Sequence, residues 1–133
     1  MTRPDPIEDI YSSKRIEWRW VLVGALVVLG SGSLLASSAA ALGYELTHFS
    51  VFFLVTTIAF VLGGGIIGWL SPGYTPWEAG MASLLAAGWT VFLAAKLLHF
   101  ESGFLWIVPP GLLWGMLCGL GGGRLGELVQ GDR

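Results

Sequence analysis

Apolar residues along this chain form four long runs, separated by short segments that carry most of its polar and turn-forming residues. The runs cover about residues 20–42, 49–70, 77–98 and 104–126. Each is close to the length of about 20 residues that an α-helix needs to cross the hydrocarbon core of a bilayer. The pattern therefore predicts an all-α fold, a polytopic membrane bundle of four transmembrane helices.

The composition is that of a membrane protein. Hydrophobic residues make up 54% of the 133 residues and charged residues 12%, against about 25% charged residues in a typical soluble domain. The net charge of −2 gives no sign of nucleic-acid binding, and the single cysteine, Cys118, excludes an intramolecular disulfide. We expect a head at residues 1–17, one transmembrane domain at 18–129 and a tail at 130–133.

Basic residues are concentrated at one end of the predicted helices. Six of the seven precede the first span or follow the fourth: Arg3, Lys14, Arg15, Arg19, Arg124 and Arg133. Because lysine and arginine are enriched in cytoplasmic segments, we expect a multi-pass protein of the prokaryotic inner membrane with both termini in the cytoplasm. Residues 39–41 (AAA) also fit a signal-peptide cleavage site, but the apolar run before them exceeds the usual 7–15 or so residues.

The fourth span contains a regular row of glycines, here called the glycine ladder: Gly111, Gly115, Gly119 and Gly123. Residues four apart share one helix face, so the ladder forms a nearly bare groove about three turns long. Each glycine costs roughly 1 kcal/mol of helix stability relative to alanine, and close approach of another helix compensates in a bilayer. The ladder is therefore predicted to pack a helix of the same bundle, to bind a partner or to line a narrow passage.

Two segments of the chain match each other. Residues 62–70 read LGGGIIGWL and residues 120–128 read LGGGRLGEL, an offset of 58 (from 62 to 120). The match predicts two tandem related hairpins of parallel topology, and coincidence in a glycine-rich apolar sequence is the alternative. In the first copy, Gly64 and Gly68 are expected to pack inside the bundle.

Pro109 and Pro110 lie about a turn and a half into the fourth span. Proline inside a helix removes a hydrogen bond and bends the helix, so a kink is predicted here, and a helix that begins at Pro109 is the alternative. Gly111 and Gly115 follow this bend, and the first hairpin has no counterpart of them. This upper part of the ladder is where we expect a partner.

Four polar residues at the outer ends of the spans are candidates for binding a metal or haem: Glu45, His48, His99 and Glu101. Glu45 and His48 are three residues apart, a spacing that di-iron bundles use for ligands. However, residues 46–49 (LTHF) also match residues 97–100 (LLHF) at an offset of 51 (from 46 to 97), and this register pairs Glu45 with Lys96, which repels a cation. The overall prediction is therefore no metal and no cofactor.

Charged side chains are expected only near the membrane surfaces. Glu78 and Arg124 are placed near the inner interface, where long side chains reach water. Proton-coupled pumps and small multidrug antiporters normally need a charged residue inside the membrane, so the sequence argues against an ion-coupled transporter. It also contains no recognisable nucleophile–base pair or phosphate-binding loop, and we predict that the protein is not an enzyme.

Three segments resemble uncharacterised small four-helix prokaryotic membrane proteins: residues 16–24 (IEWRWVLVG), the glycine-rich end of the second span and the turn that begins at Ser71. The resemblance implies a four-helix layout and no particular activity. The sequence favours a non-enzymatic packing or assembly subunit, embedded in lipid, that forms homo-oligomers or joins other membrane subunits through the ladder. The alternatives are a small oligomeric channel or exporter and an outer-face metal- or haem-binding membrane protein.

Overall fold

This computed structural model describes residues 16–71, 75–98 and 104–131. Within these ranges the protein is all-helical and contains no strand. Its helices are α1 (Trp18–Ala41), α2 (Phe49–Leu70), α3 (Thr75–Leu97) and α4 (Phe104–Gln130). All four are long and apolar enough to cross a membrane. The prediction of an all-α, multi-pass membrane protein is confirmed.

The end of α1 is set by a glycine. Gly43 has φ of 85°, a left-handed conformation that costs glycine little. The N–H groups of Gly43 and Tyr44 donate to the carbonyls of Ala40 and Ala39, both at 3.0 Å. This pattern is a Schellman motif, which satisfies carbonyls at the end of a helix and turns the chain away from it.

α4 is a single helix that contains both Pro109 and Pro110. The alternative in which the helix begins at Pro109 is therefore wrong. Each proline lacks an N–H group and removes the hydrogen bond to the carbonyl four residues earlier. Those carbonyls lie in the first turn of α4, where the break interrupts little of the helix. At its other end α4 runs past residue 126 to Gln130.

Contacts between the helices establish their directions. α1 and α3 run parallel, since Glu17 contacts Glu78 and, further along both helices, Gly24 lies close to Ala82. α2 and α4 return in the opposite direction. We call the end of the bundle at which α1 and α3 begin the proximal end, and the other the distal end.

The four helices do not contribute equally to the bundle. α2 and α3 contact each other and both other helices, whereas no contact between α1 and α4 occurs among the described residues. The buried core consists of small side chains of α3 together with larger ones of α1 and α2: Ala79, Ala82, Ala86, Ala87, Val28, Phe60 and Ile67. α1 is the least buried of the four helices.

Candidate functional site

The glycine ladder packs against α3 along most of its length. A Cβ atom on Gly115 would lie 2.5 Å from Cβ of Ala87, and one on Gly119 would overlap the side chain of Ser83. Gly111 is equally close to the next turn of α3. Since real Cβ atoms essentially never approach so closely, glycine is needed here for packing within the chain.

The proximal part of the ladder also packs against α2. A Cβ atom on Gly64 would lie 2.6 Å from the carbonyl oxygen of Gly119, and Gly68 is in similar contact with Gly123. These helix backbones touch directly, as small residues permit in membranes. α3 thus covers the ladder from Gly111 to Gly119, and α2 covers its proximal part. Of the four glycines only Gly111 stays partly exposed.

The contact between α2 and α4 is reciprocal. Gly64 of α2 lies against Gly119 of α4. The offset of 58 relates Gly64 to Gly122 and Val61 to Gly119. Gly122 lies against Val61 in the same way. The contacts of the next turn are related in the same way: Gly68 with Gly123, and Gly126 with Gly65. This is the arrangement expected when two related hairpins pack around a local twofold axis parallel to the helices.

A further contact places α1 and α3 around the same axis. Gly24 and Ala82 are also 58 residues apart, and a Cβ atom on Gly24 would lie 2.8 Å from Cβ of Ala82. Residues that a twofold axis relates can touch each other only where the axis passes between them. The symmetry is incomplete, because α2 contacts α3 but, in the described ranges, α4 does not contact α1. One side of α1 is therefore left uncovered.

Glu78 joins the proximal ends of three helices. It lies in the first turn of α3 and is completely buried. Its carboxyl oxygens accept a hydrogen bond from the Ser71 hydroxyl, at 2.6 Å, and from the backbone N–H of Glu17, at 2.9 Å. The expectation that Glu78 reaches water is therefore wrong, since the end of α2 and the start of α1 cover it. Arg124 is exposed, as expected.

The candidate metal ligands are only partly within the described chain. Glu45 and His48 lie in the loop between α1 and α2, with Oε2 and Nε2 3.5 Å apart and both side chains largely exposed. His99 and Glu101 fall outside the described residues. In the part of the chain that the structure describes, no three or more potential ligands come together.

A cavity of about 410 Å³ opens between the distal halves of α2, α3 and α4. We call it the distal pocket. Its size is within the range of about 300–1,000 Å³ typical of ligand pockets. Its walls are almost entirely aromatic and aliphatic, and include Phe52, Phe53, Phe60, Val91, Trp106 and Trp114. Pro110 and Gly111 also line it, so it lies beside the upper part of the ladder.

A second, smaller cavity of about 190 Å³ lies between α1, α2 and α3. Phe52, Thr56, Phe60 and Thr90 line both cavities and form the wall between them. Close glycine contacts hold α2 against α4 in the proximal half, whereas aromatic side chains of α2 and α4 line the spaces in the distal half. The pockets were not predicted from the sequence, although the phenylalanines of α2 indicate large side chains in the distal half of that helix.

Comparison with known proteins adds no functional assignment. No protein-family model matches the chain, and neither a curated protein nor a solved structure matches it. The likeness to small four-helix prokaryotic membrane proteins remains a prediction. The functional interpretation therefore depends on the surfaces and cavities of the bundle itself.

Proposed function

We propose that this protein is a non-enzymatic subunit of the prokaryotic inner membrane, with cytoplasmic termini, that associates with copies of itself through α1. The observation that carries the proposal is a row of small, exposed residues on α1: Gly30, Ser33, Ser37 and Ala40. At 3.6 residues per turn they follow one face of the helix. That face is opposite the one that buries Val21, Gly24 and Val28 in the bundle.

Gly30 takes no part in the packing between the described helices. A Cβ atom at Gly30 would meet nothing within 4 Å, whereas one at Gly24, on the bundle side, would lie 2.6 Å from Cδ1 of Ile67. A glycine in a helix interior costs roughly 1 kcal/mol. In a membrane, contact with a second helix is the usual compensation. None of the described helices provides it for Gly30, which favours a helix from a second copy of the chain.

The serine hydroxyls of the row do not oppose such a contact. Ser33 donates to the carbonyl of Leu29 at 2.9 Å, and Ser37 donates to the carbonyl of Ser33 at 2.8 Å. With both hydroxyls bonded inside α1, the row presents a low, nearly apolar surface. Another helix backbone is able to approach it closely, as it does at small-residue interfaces elsewhere in membranes.

Two other helical glycines face lipid, but they are surrounded differently. Gly88 is exposed on α3 beside the large side chains of Leu85, Trp89 and Phe92. Gly121 is exposed on α4, and Leu117 and Leu125, one turn away on either side, are also exposed. Gly30 also has exposed leucines one turn away on either side, Leu26 and Leu34. Of these three exposed glycines, however, only Gly30 continues along its helix into exposed small residues, Ser33 and Ser37.

The test is the oligomeric state of the purified protein in mild detergent, measured by light scattering. The wild type is expected to have a mass that is a multiple of its 14.2 kDa chain, and Gly30→Leu is expected to be monomeric. Gly88→Leu makes the same substitution at another exposed helical glycine and is expected to keep the wild-type mass. A monomeric wild type, or a Gly30→Leu variant of unchanged mass and helical content, contradicts the proposal.

The channel or exporter alternative is separated by a second measurement. Because α2 and α3 cover most of the ladder, we expect a passage, if the protein forms one, to lie between copies of the chain, and Gly30→Leu is then expected to abolish flux. Wild-type protein in liposomes loaded with an ion-sensitive dye distinguishes the two functions. Tight liposomes support the assembly subunit, whereas ion flux that disappears in Gly30→Leu shows the channel.

A further inference from the structure

We infer that the distal pocket binds one acyl chain of a membrane lipid, taken from the leaflet at the distal end of the helices. The inference is independent of self-association, because the pocket is formed by α2, α3 and α4 and does not involve the exposed face of α1. The depth of the pocket, the chemistry of its walls and the way its shape is maintained all support an acyl chain.

The depth of the pocket matches one leaflet. Phe49, the first residue of α2, and Phe60 both line it. These residues are 11 positions apart, which corresponds to about 16 Å along a helix. The hydrocarbon core of a bilayer is about 30 Å thick, so one leaflet contributes about 15 Å. The pocket therefore runs from the distal interface to about the middle of the membrane, the depth that an acyl chain occupies.

The walls of the pocket offer few polar groups to a ligand. Among the described residues that line it none is charged, and the exposed indole of Trp106 lies near the start of α4, at the distal end. The two lining hydroxyls are used within their own helices: Thr56 donates to the carbonyl of Phe52 and Thr90 to that of Ala86, both at 2.9 Å. A polar solute deep in the pocket would lose its hydrogen bonds to water and find few replacements among the described residues, at a cost of several kcal/mol per group (roughly 2–7). A hydrocarbon chain loses none.

Contacts within the chain maintain the space. The ring centroids of Phe53 on α2 and Trp114 on α4 are 5.4 Å apart, and the indole N–H of Trp114 donates to the hydroxyl of Thr57 at 3.0 Å. At the floor, Gly111 lies against Val91. The wall between α2 and α4 and the floor are thus held by the protein itself. Lipid chains surround this opening in every bilayer, so an acyl chain fills it without a recruited partner.

The test is photolabelling of the full chain in liposomes that contain phosphatidylcholine with a diazirine at the end of one acyl chain. Labelled residues are located by mass spectrometry. We expect labels at the floor of the pocket, around Phe60 and Gly111. Ala94 is nearly buried and lines the pocket, so Ala94→Phe is expected to lower labelling at the floor by about tenfold, a loss of ~1.4 kcal/mol in binding free energy. Ala95→Phe is the matched control, since Ala95 does not line the pocket, and it is expected to leave labelling unchanged.

A second probe needs only the wild-type protein. With the diazirine placed near the glycerol instead, labels are expected to move to the distal end of α2, around Phe49. This shift is expected if the methyl end of the acyl chain lies at the floor and its glycerol end at the distal interface. The inference is overturned if labels are spread evenly over all lipid-facing residues and the level of labelling is the same in the wild type and in Ala94→Phe. A floor that remains unlabelled by both probes also overturns the inference if a photo-cross-linking residue in place of Phe60 joins a second copy, because a protein helix then fills the pocket.

Discussion

Gly64 of α2 lies directly against the backbone of Gly119 of α4: a Cβ atom on Gly64 would be 2.6 Å from the carbonyl oxygen of Gly119 and 3.1 Å from its Cα. Lipid provides no hydrophobic drive for helix association, so stability in a bilayer depends on van der Waals packing of this kind. The contact is the centre of the tightly packed proximal half.

The first prediction concerns this contact. Gly64→Ala is expected to lower the free energy of unfolding by about 1–3 kcal/mol, because the added methyl group forces two helix backbones apart. Unfolding in mixed micelles with increasing SDS, followed by circular dichroism, measures the change. The control is Gly88→Ala, where the new Cβ meets one atom at 3.9 Å and up to about 1 kcal/mol of stability is gained. Equal stability of the two variants would show that the helices do not touch at Gly64.

The second prediction follows from the reciprocal contact. Gly122 occupies the position in α4 that Gly64 occupies in α2 and lies against Val61, so Gly122→Ala is expected to cost about as much as Gly64→Ala. The double variant is expected to lose less than the sum of the two, since the first methyl group already separates the helices and makes room for the second. A double-mutant cycle in the same SDS assay measures the coupling. Strict additivity would indicate two independent sites.

The third prediction compares two serines. Ser83 is fully buried, and its hydroxyl has no hydrogen-bond partner among the described residues. Ser83→Ala is expected to raise the free energy of unfolding by about 1 kcal/mol, because it removes an unsatisfied buried hydroxyl. Ser31 donates to the carbonyl of Val28 at 2.9 Å, and Ser31→Ala is expected to give no gain. The same unfolding assay compares them, and a loss of stability in Ser83→Ala would show that its hydroxyl is bonded.

The fourth prediction concerns Glu78. Glu78→Ala leaves the Ser71 hydroxyl without this acceptor and the Glu17 N–H without its bond, and is expected to lower the free energy of unfolding by about 1–3 kcal/mol. Hydrogen exchange of the Glu17 amide, measured by mass spectrometry, is expected to speed up at the same time. Glu45→Ala removes an exposed carboxyl group at the other end of the bundle and is expected to change stability by no more than about 0.5 kcal/mol. Unchanged exchange in Glu78→Ala would mean that Glu78 does not hold the start of α1.

The helices themselves were predictable from the sequence. The second apolar run was predicted at residues 49–70, and α2 spans Phe49–Leu70. Transmembrane segments are local features, since each depends on the summed hydrophobicity of about 20 consecutive residues. The offset of 58 between the two glycine-rich segments was likewise visible before any contact was known. It relates the contacts of Gly64 to those of Gly122.

Which residues pack against each helix face was decided only by the tertiary structure. Small residues serve intrachain and interchain packing equally well, so the ladder was ambiguous until its contacts with Ser83 and Ala87 were seen. Glu78 was expected to reach water, because its partner Glu17 is 61 residues away in sequence. The distal pocket depends on how far the helices diverge, which no single segment encodes.

The sequence by itself therefore determined the number, length and apolar character of the helices, because insertion into a bilayer depends on each segment separately. Only the tertiary structure decided that the ladder faces inward, that Gly30 faces outward and that Glu78 is buried. Those properties depend on which helix faces meet, and in lipid this choice is made by shape complementarity between distant segments rather than by hydrophobicity.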